Sequence, residues 1–162
     1  MEKTENKIKS LEESKAQVIA WQAKGEKIVF TNGCFDLLHL GHVDYLEKAR
    51  NLGDRLIVGL NTDNSVSRFK GPERPLQDQI SRARVLAALQ FVDLVVFFNE
   101  DTPLNLISAL LPNVLVKGSD YLTENIVGAT IVMQHGGVVK TIDFVEGYST
   151  TRIVEKIKKH KI

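Results

Sequence analysis

The sequence is poor in cysteine, in long apolar runs and in excess charge of either sign. Its 162 residues contain one cysteine, Cys34, which excludes an internal disulfide and fits a reducing compartment. No apolar run approaches the length of a membrane span, and the segment Met1–Lys7 is too polar to begin a signal peptide. These absences predict a cytoplasmic protein.

The charge balance argues against polyanionic partners. The chain has 21 Lys and Arg against 20 Asp and Glu, a net charge of +1. Its overall charge therefore gives no reason to expect attraction to nucleic acid or to a membrane surface. Hydrophobic residues make up 43% of the chain, and its length suffices for one domain with a substantial core. We expect a single domain that binds neither nucleic acid nor membranes.

Apolar runs and amphipathic segments alternate along the chain. They predict strands at 27–30, 54–61, 91–98, 114–117 and 138–144, and helices at about 6–24, 41–52, 80–90, 103–111, 126–135 and 149–159. The polar interval 62–79, which contains Pro72 and Pro75, is predicted to be a long loop. Strands that alternate with helices form parallel sheets covered on both faces. The predicted fold class is therefore α/β, a doubly wound five-stranded parallel sheet.

The first predicted helix precedes this alternation and carries no evident chemistry. Its narrow apolar stripe consists of Ile8, Leu11, Val18 and Trp21. We divide the chain into an N-terminal helical extension, residues 1–26, and a sheet domain, residues 27–162. The stripe packs either on the domain or on a second copy of the chain. The second alternative predicts a homo-oligomer, such as a dimer.

The most specific pattern is Phe30-Thr-Asn-Gly-Cys-Phe-Asp-Leu-Leu-His-Leu-Gly-His-Val43. A strand that passes through a glycine turn into a helix directs backbone N–H groups and the positive helix end to one point, which suits a phosphate. His39 and His42 flank Gly41 at the mouth of the helix, where each can donate a hydrogen bond or, when protonated, add positive charge. A side chain at Gly41 would keep a phosphate from the backbone. The pattern His-x-Gly-His therefore indicates binding of nucleotide phosphates.

Two other interpretations of the histidines stay open. A histidine at a helix start is often a cap or a surface residue, and two histidines can form half of a zinc site. The zinc interpretation lacks support in the sequence, because Cys34 is its one cysteine and no second ligand pair occurs at zinc spacing.

The predicted strands end in polar segments at 31–36, 61–63, 117–120 and 146–151. In doubly wound sheets, ligands bind beyond these carboxyl ends, where the winding reverses. Asp36 and Asp63 suit a sugar hydroxyl or a magnesium ion, or else are turn or capping residues, and Asp120 suits a ribose or a base. The hydroxyls, which suit a phosphate but are also typical helix caps, are Ser149, Thr150 and Thr151.

Basic residues in and after the predicted loop add a second signal. Lys70 and Arg74 carry fixed charge, and a basic loop that closes over a triphosphate stabilises charge on the phosphorus and on the leaving pyrophosphate. Arg82 begins a helix, where a cation is unfavourable against the dipole, so it indicates an anionic partner or a surface ion pair. Cys34 has no base placed to activate it and is interpreted as a packing or backbone contact.

These segments together resemble the nucleotidyltransferase superfamily with the His-x-Gly-His signature, and most closely its adenylyltransferases for D-glycero-β-D-manno-heptose 1-phosphate. The similarity covers nearly everything from Lys27 to Ile157. It rests on the segments Thr31–His42, Ser65–Gly71 with Arg74-Pro75, Glu100–Pro103, Val116–Tyr121 and Gly147–Thr151. The resemblance implies a Rossmann-like nucleotidyltransferase domain over residues 27–162.

The resemblance also implies an activity. A sugar 1-phosphate attacks the α-phosphorus of ATP, releasing pyrophosphate and leaving ADP-heptose for the lipopolysaccharide inner core or related glycans, with Mg²⁺ as cofactor. Many relatives are fused to a sugar kinase, which this sequence lacks. We therefore expect a stand-alone version whose heptose 1-phosphate comes from another protein.

Roles follow by motif from the same resemblance. The expected catalytic residues are His39, His42 and Lys70. The further residues expected to bind the nucleotide are Asn32, Gly33, Cys34, Phe35, Gly41, Lys117, Gly118, Asp120, Tyr148, Ser149, Thr150 and Thr151. The residues expected at the sugar phosphate or magnesium are Asp36, Asp63, Arg74 and Arg82.

Two alternative functions belong to different classes. Cytidylyltransferases for glycerol phosphate or other polyol phosphates share the histidine motif and the late Ser-Thr-Thr, but they usually carry an Arg-Thr pair where this chain has Val145-Glu146. A nucleotide-binding regulator would keep the pocket without turnover. The presence of both histidines and Lys70 argues against the regulator.

Overall fold

The computed structural model describes residues 3–160. Its strands are β1 (Ile8–Lys9), β2 (Ile28–Gly33), β3 (Arg55–Asn61), β4 (Leu94–Phe98), β5 (Val114–Gly118) and β6 (Val138–Ile142). Its α-helices are α1 (Leu11–Ala23), α2 (Leu40–Arg50), α3 (Asp63–Lys70), α4 (Gln79–Ala88), α5 (Leu104–Leu110), α6 (Ala129–Gln134) and α7 (Thr150–Lys159). Short 3-10 turns occur at Thr4–Lys7 and Thr123–Asn125.

The strands form one parallel sheet in the order β1-β4-β3-β2-β5-β6. The α/β class and the parallel sheet are confirmed, but the sheet has six strands and not five. The additional strand is β1, in which Ile8 and Lys9 pair with Val95 and Val96 of β4. A two-residue strand has no periodicity of its own, so only its distant partner reveals it.

Helix α1 begins later than the predicted residue 6. Ser10 caps it, accepting a hydrogen bond from the backbone N–H of Glu13, while the Glu13 carboxylate accepts from the Ser10 backbone at 2.9 Å. Val18 and Trp21 are buried against the sheet in the cluster that contains Leu110. The chain itself therefore covers this part of the apolar stripe, and the homo-oligomer stays a prediction that the stripe no longer favours.

Strand β2 is longer than predicted. Thr31, Asn32 and Gly33 were expected to break it, but they continue the strand in register with residues 58–60 of β3. The non-local pairing outweighs the weak strand propensity of Asn and Gly. The extension carries the start of the motif to the carboxyl edge of the sheet.

The interval 62–79 is not a single loop. Thr62 caps α3 by accepting a hydrogen bond from the backbone N–H of Ser65, and α3 ends at Gly71, whose φ of 100° favours glycine. The true loop is limited to residues 71–78. Helix α5 begins after Pro103 and has no side-chain cap.

Helices cover both faces of the sheet. One cluster joins α2 and α4 to Val29 and Val58, and the other joins α1, α5 and α6 to Phe30 and Ile57. From β2, the strands β3 and β4 are added along one side of the sheet, and β5 and β6 are added along the other side. The winding of the chain therefore reverses between β2 and β5. Among the helices of residues 3–160, none combines the length and apolar character needed to cross a membrane.

The capping box of α1 generates a prediction about stability. Ser10→Ala removes the hydroxyl that satisfies an N–H group at the start of the helix, and it should lower the free energy of unfolding by about 1 kcal/mol. Urea unfolding followed by circular dichroism measures this change. Ser10→Thr keeps a capping hydroxyl and serves as the matched control. Equal stabilities of the Ala and Thr variants would show that the cap contributes nothing.

Candidate active site

A cavity of about 420 Å³ opens at the carboxyl ends of β2, β3 and β5, next to the point where the winding reverses. The sequence-predicted site residues that line it are Asn32, Gly33, Cys34, Phe35, Asp36, His42, Lys70, Lys117, Gly118, Asp120 and Thr150. The predicted residues outside its lining are His39, Gly41, Asp63, Arg74, Arg82, Tyr148, Ser149 and Thr151. The structure thus brings eleven of the nineteen predicted side chains or glycines to one concave site.

The two histidines form a stacked pair at the start of α2. Their ring centroids lie 3.8 Å apart with 23° between the planes. His39 occupies the N-cap position without a side-chain capping bond, so the interpretation of its ring as a cap is wrong. The edge of Phe35 contacts His42 at 5.2 Å between centroids. His42 lines the cavity, and the His39 ring that stacks on it lies outside the lining.

Burial controls the charge of this pair. It lowers the pKa of His42 to about 4, with smaller contributions from His39 and Lys70 and a weak opposing interaction with the Leu37 backbone. Burial also lowers the pKa of His39. His42 is therefore a neutral imidazole at neutral pH.

Several buried polar atoms of the motif have no partner. They are Oδ1 of Asn32 and Nδ1 of both His39 and His42, none of which has a well-formed hydrogen bond among residues 3–160. Leaving such an atom unpaired costs about 1–3 kcal/mol, and unpaired polar groups of this kind call for a functional explanation. Their clustering beside the cavity favours a ligand-binding site.

One glycine of the site is required by packing. A Cβ at Gly118 would approach the Phe144 ring at 2.2 Å and Asp120 Oδ1 at 2.7 Å. A Cβ at Gly41 would approach the His39 ring at 3.1 Å and Tyr148 at 3.5 Å, so a small shift of the ring would accommodate it. Room for a phosphate at the Gly41 backbone stays a prediction.

Asp36 connects the cavity to the loop 71–78. Its carboxylate accepts hydrogen bonds from the backbone of Leu76 and Gln77 at 2.9 Å and from Arg74 Nη1 at 3.1 Å. Burial raises the pKa of Asp36, but these three donors outweigh it and hold the pKa below its ordinary value. Arg74 is thus engaged with Asp36.

Arg82 lies inside the protein, with 1% of its surface exposed. Its guanidinium donates to the carbonyls of Gln77, Cys34 and Asn61 at 2.7–3.0 Å and to the carboxylate of Asp63 at 2.7 Å. The expectation of an anionic partner is met by Asp63 within the chain. Direct contact of Arg82 or Asp63 with a substrate stays a prediction.

The segment before α7 meets the cavity through one residue. Ser149 is the N-cap of α7, accepting a hydrogen bond from the backbone N–H of Arg152. Thr150 lines the cavity and donates to the Leu37 carbonyl at 3.4 Å. Tyr148 is half-exposed and, like Thr151, lies outside the cavity lining.

Sequence reasoning missed an aromatic part of the wall. Tyr45 and Phe144 stack at 5.7 Å between centroids, and the Tyr45 hydroxyl shares a hydrogen bond of 2.8 Å with Thr31. Burial raises the pKa of Tyr45 to about 12. Tyr45 lies three residues after His42 and therefore on the same helix face, which was the available signal. The other missed lining residues are Phe69, Phe98, Asp101, Thr102, Pro103, Tyr121, Asn125, Ile126 and Val127, whereas Asn61 belongs to the polar strand end 61–63 that was expected at the ligand crevice.

The depressed pKa of His42 predicts a pH dependence of stability. Between its ordinary value of 6.5 and about 4, the unfolded chain binds a proton that the folded chain does not, so acidification through this window lowers the free energy of unfolding. His42→Gln should remove a part of this loss on the order of 1–2 kcal/mol, allowing for partial exposure of the ring. Urea unfolding of the unligated protein over a pH series measures it.

The matched control is His135→Gln, because His135 lies exposed on the C-terminal side of α6 and outside the cavity lining. It should leave the difference between neutral and acidic stability as in the unmodified protein. Parallel pH curves for His42→Gln and the unmodified protein would contradict the burial of a neutral imidazole.

Comparison with known proteins places this site in a family. The family model described as cytidylyltransferase-like matches residues 30–156. Bifunctional protein HldE of Magnetococcus marinus is 58% identical over 156 residues, which are 96% of this chain and 32% of that protein. The chain thus spans about a third of the length of the curated relatives that it matches.

Solved structures agree with this assignment. A lipopolysaccharide core biosynthesis protein from Thermoplasma volcanium has 29% identity and a TM-score of 0.60, covering 77% of this chain and all of that one. Pantothenate synthetase from Thermus thermophilus has a TM-score of 0.63 at 16% identity over 94% of this chain and 70% of that one, which shows the shared fold alone. The chain, with its histidine pair at the reversal of a parallel sheet, belongs to the cytidylyltransferase-like family.

Proposed function

We propose that this chain is an adenylyltransferase that joins ATP and D-glycero-β-D-manno-heptose 1-phosphate to give ADP-heptose and pyrophosphate. The observation that carries the proposal is the neutral, stacked histidine pair beside a cavity at the winding reversal. Sites of this kind in α/β sheets bind nucleotides. The chain is similar to bifunctional protein HldE and to a lipopolysaccharide core biosynthesis protein, and both similarities support a role in lipopolysaccharide core assembly.

The chemistry requires positioning and charge stabilisation. An oxygen of the sugar phosphate forms a bond to the α-phosphorus of ATP, and the bond from that phosphorus to the bridging oxygen breaks, so that the electron pair leaves with pyrophosphate. His42 and His39, whose rings stack, would donate hydrogen bonds to phosphate oxygens as negative charge develops on those oxygens. Lys70, the exposed last residue of α3, would supply a fixed charge from the cavity wall. No covalent intermediate with the protein is needed.

Magnesium fits this site as a companion of the nucleotide. Residues 3–160 contain no group of three or more His, Cys, Asp or Glu placed to hold a metal. Mg²⁺ commonly binds through substrate phosphates and one or two carboxylates, and Asp120 and Asp101 line the cavity. When bound, the ion would offset charge on the phosphates.

Cytidylyl transfer to a polyol phosphate is the second candidate. The description of the matching family as cytidylyltransferase-like favours it. Such enzymes usually carry an Arg-Thr pair where this chain has Val145-Glu146. This difference favours ATP as the donor.

The donor and the acceptor can be determined together. Pyrophosphate should be released from ATP in the presence of heptose 1-phosphate. The rate with CTP should be at least about tenfold lower, because groups that contact the base discriminate between the two donors. The assay pairs ATP or CTP with a series of sugar 1-phosphates and glycerol phosphate. Activity with only CTP and a polyol phosphate would establish the second candidate. Binding of ATP without turnover of any acceptor would establish a nucleotide-binding regulator.

The histidine pair can be tested separately. His39→Ala and His42→Ala should each lower kcat by at least about a hundredfold, because each removes a donor that stabilises transition-state charge. His135→Ala, the matched control on α6, should keep normal turnover. Circular dichroism should show that all three variants fold. Near-normal kcat in both motif variants would remove the pair from catalysis.

A further inference from the structure

The cavity joins the two faces of the sheet. Phe35 and Tyr45 of its lining belong to the apolar cluster with α2 and α4, whereas Phe98 and Ile126 belong to the cluster with α1, α5 and α6. The eleven expected site residues of the lining all lie outside the segments 98–103 and 125–127. These two segments, which we call the α5 side of the cavity, are therefore a part of the wall that the predicted nucleotide and phosphate contacts leave free.

The α5 side combines apolar surface with a few exposed polar groups. Its apolar lining residues are Phe98, Pro103, Ile126 and Val127. Its exposed polar groups are the carboxylate of Asp101, the hydroxyl of Thr102 and the amide of Asn125. Apolar walls with a small number of placed polar groups are typical of sites for small molecules. The carboxylate repels a phosphate but accepts hydrogen bonds from hydroxyl groups, so a neutral, polyhydroxylated carbon skeleton fits this side.

Helix α3 holds the carboxylate of Asp101 in place. Ser65 Oγ donates to the Glu100 carbonyl at 3.1 Å, and Arg68 Nε donates to Asp101 Oδ1 at 3.1 Å. A carboxylate accepts about four hydrogen bonds, and the Asp101 side chain is 83% exposed. Asp101 therefore keeps acceptor capacity for a ligand at a position that contacts within the chain define, which is the condition for selective binding.

The contact with Arg68 also distinguishes Asp101 from a metal ligand. The guanidinium of Arg68 places a positive charge 3.1 Å from one oxygen of Asp101. Like charges at short range repel, so this guanidinium disfavours a divalent cation at the same carboxylate. Asp120, the other exposed carboxylate of the lining, is then the better candidate for magnesium. A neutral hydroxyl that donates to Asp101 meets no such repulsion.

We propose that Asp101 determines acceptor specificity by accepting hydrogen bonds from hydroxyl groups of the sugar phosphate. Lys70 follows Arg68 by two residues on α3 and lines the same cavity. One acceptor can therefore place its phosphate at Lys70 and its hydroxyls at Asp101. That the acceptor is a sugar phosphate rests on the proposed function, whereas the suitability of the α5 side for hydroxyl groups does not.

The test measures binding of the acceptor by calorimetry. The full chain is saturated with Mg²⁺ and an ATP analogue that cannot transfer its adenylyl group, and heptose 1-phosphate and its single-deoxy analogues are then titrated. Asp101→Ala should raise the Kd of heptose 1-phosphate by roughly tenfold or more, as expected for loss of a hydrogen bond to a charged acceptor. It should leave the Kd of the ATP analogue unchanged. Glu12→Ala is the matched control, because Glu12 is an exposed carboxylate on α1 that pairs with Lys15.

The deoxy analogues test the contact itself. At least one of them should bind the unmodified protein roughly tenfold more weakly than heptose 1-phosphate, and this difference should disappear in Asp101→Ala, because the hydroxyl and its acceptor act as a pair. Arg68→Ala removes the ion pair but keeps the carboxylate, so it should retain the difference between parent and analogue. Asp101→Asn is measured in the same way if the Ala variant does not fold.

The proposal is overturned if Asp101→Ala changes the Kd of heptose 1-phosphate by less than about threefold, or if it discriminates among the deoxy analogues as the unmodified protein does. Weaker binding of the ATP analogue would assign Asp101 to the metal or the ribose instead. Equal effects of Arg68→Ala and Asp101→Ala in every titration would leave Asp101 a structural role only.

Failure of the proposed function is a separate result. If heptose 1-phosphate neither binds nor reacts with ATP, the same variants are titrated with glycerol phosphate and with propyl phosphate, which lacks its hydroxyls. Preference of the unmodified protein for glycerol phosphate, lost in Asp101→Ala, would support the role of Asp101 without the heptose. Equal binding of the two compounds by the unmodified protein would overturn it.

Discussion

The site depends on the buried guanidinium of Arg82. It links the carbonyls of Cys34 and Asn61, at the ends of neighbouring strands, to the Gln77 carbonyl in the loop 71–78 and to Asp63 at the start of α3. Of these partners, Cys34 and Asn61 line the cavity, as do Phe69 and Lys70 at the end of α3. A planar cation with donors in several directions can satisfy all of these acceptors at once, which a lysine ammonium at this position could not do with the same geometry.

Around this fixed frame, the charges divide into compensated and uncompensated groups. Asp36 and Arg82 meet their partners within the chain, whereas His42 is held neutral by burial and Lys117 forms no ion pair among residues 3–160, although Asp120 acts on it from a distance. An anion brought beside an imidazole favours its charged form. A phosphate held beside His42 would therefore oppose the effect of burial on its pKa.

The sequence could predict what depends on local pattern. Long apolar runs identified the main strands, and the His-x-Gly-His spacing identified the histidine pair. Helix α3 was missed because its one buried apolar side chain, Val66, is too little to show periodicity. Strand β1 and the end of β2 were missed because distant pairing partners determine them. The structural role of Arg82 could not be predicted either, because its hydrogen-bond partners come from separate segments that only the fold brings together.

Helix α7 has a consequence of its own. None of its described residues is buried, although its first residue, Thr150, lines the cavity. Segments with few buried contacts open at low free-energy cost, while the strands beneath require global unfolding. Opening of α7 would therefore widen the entrance to the cavity at Thr150 while the sheet stays intact, so that access to this site and the stability of the core are set by different parts of the chain.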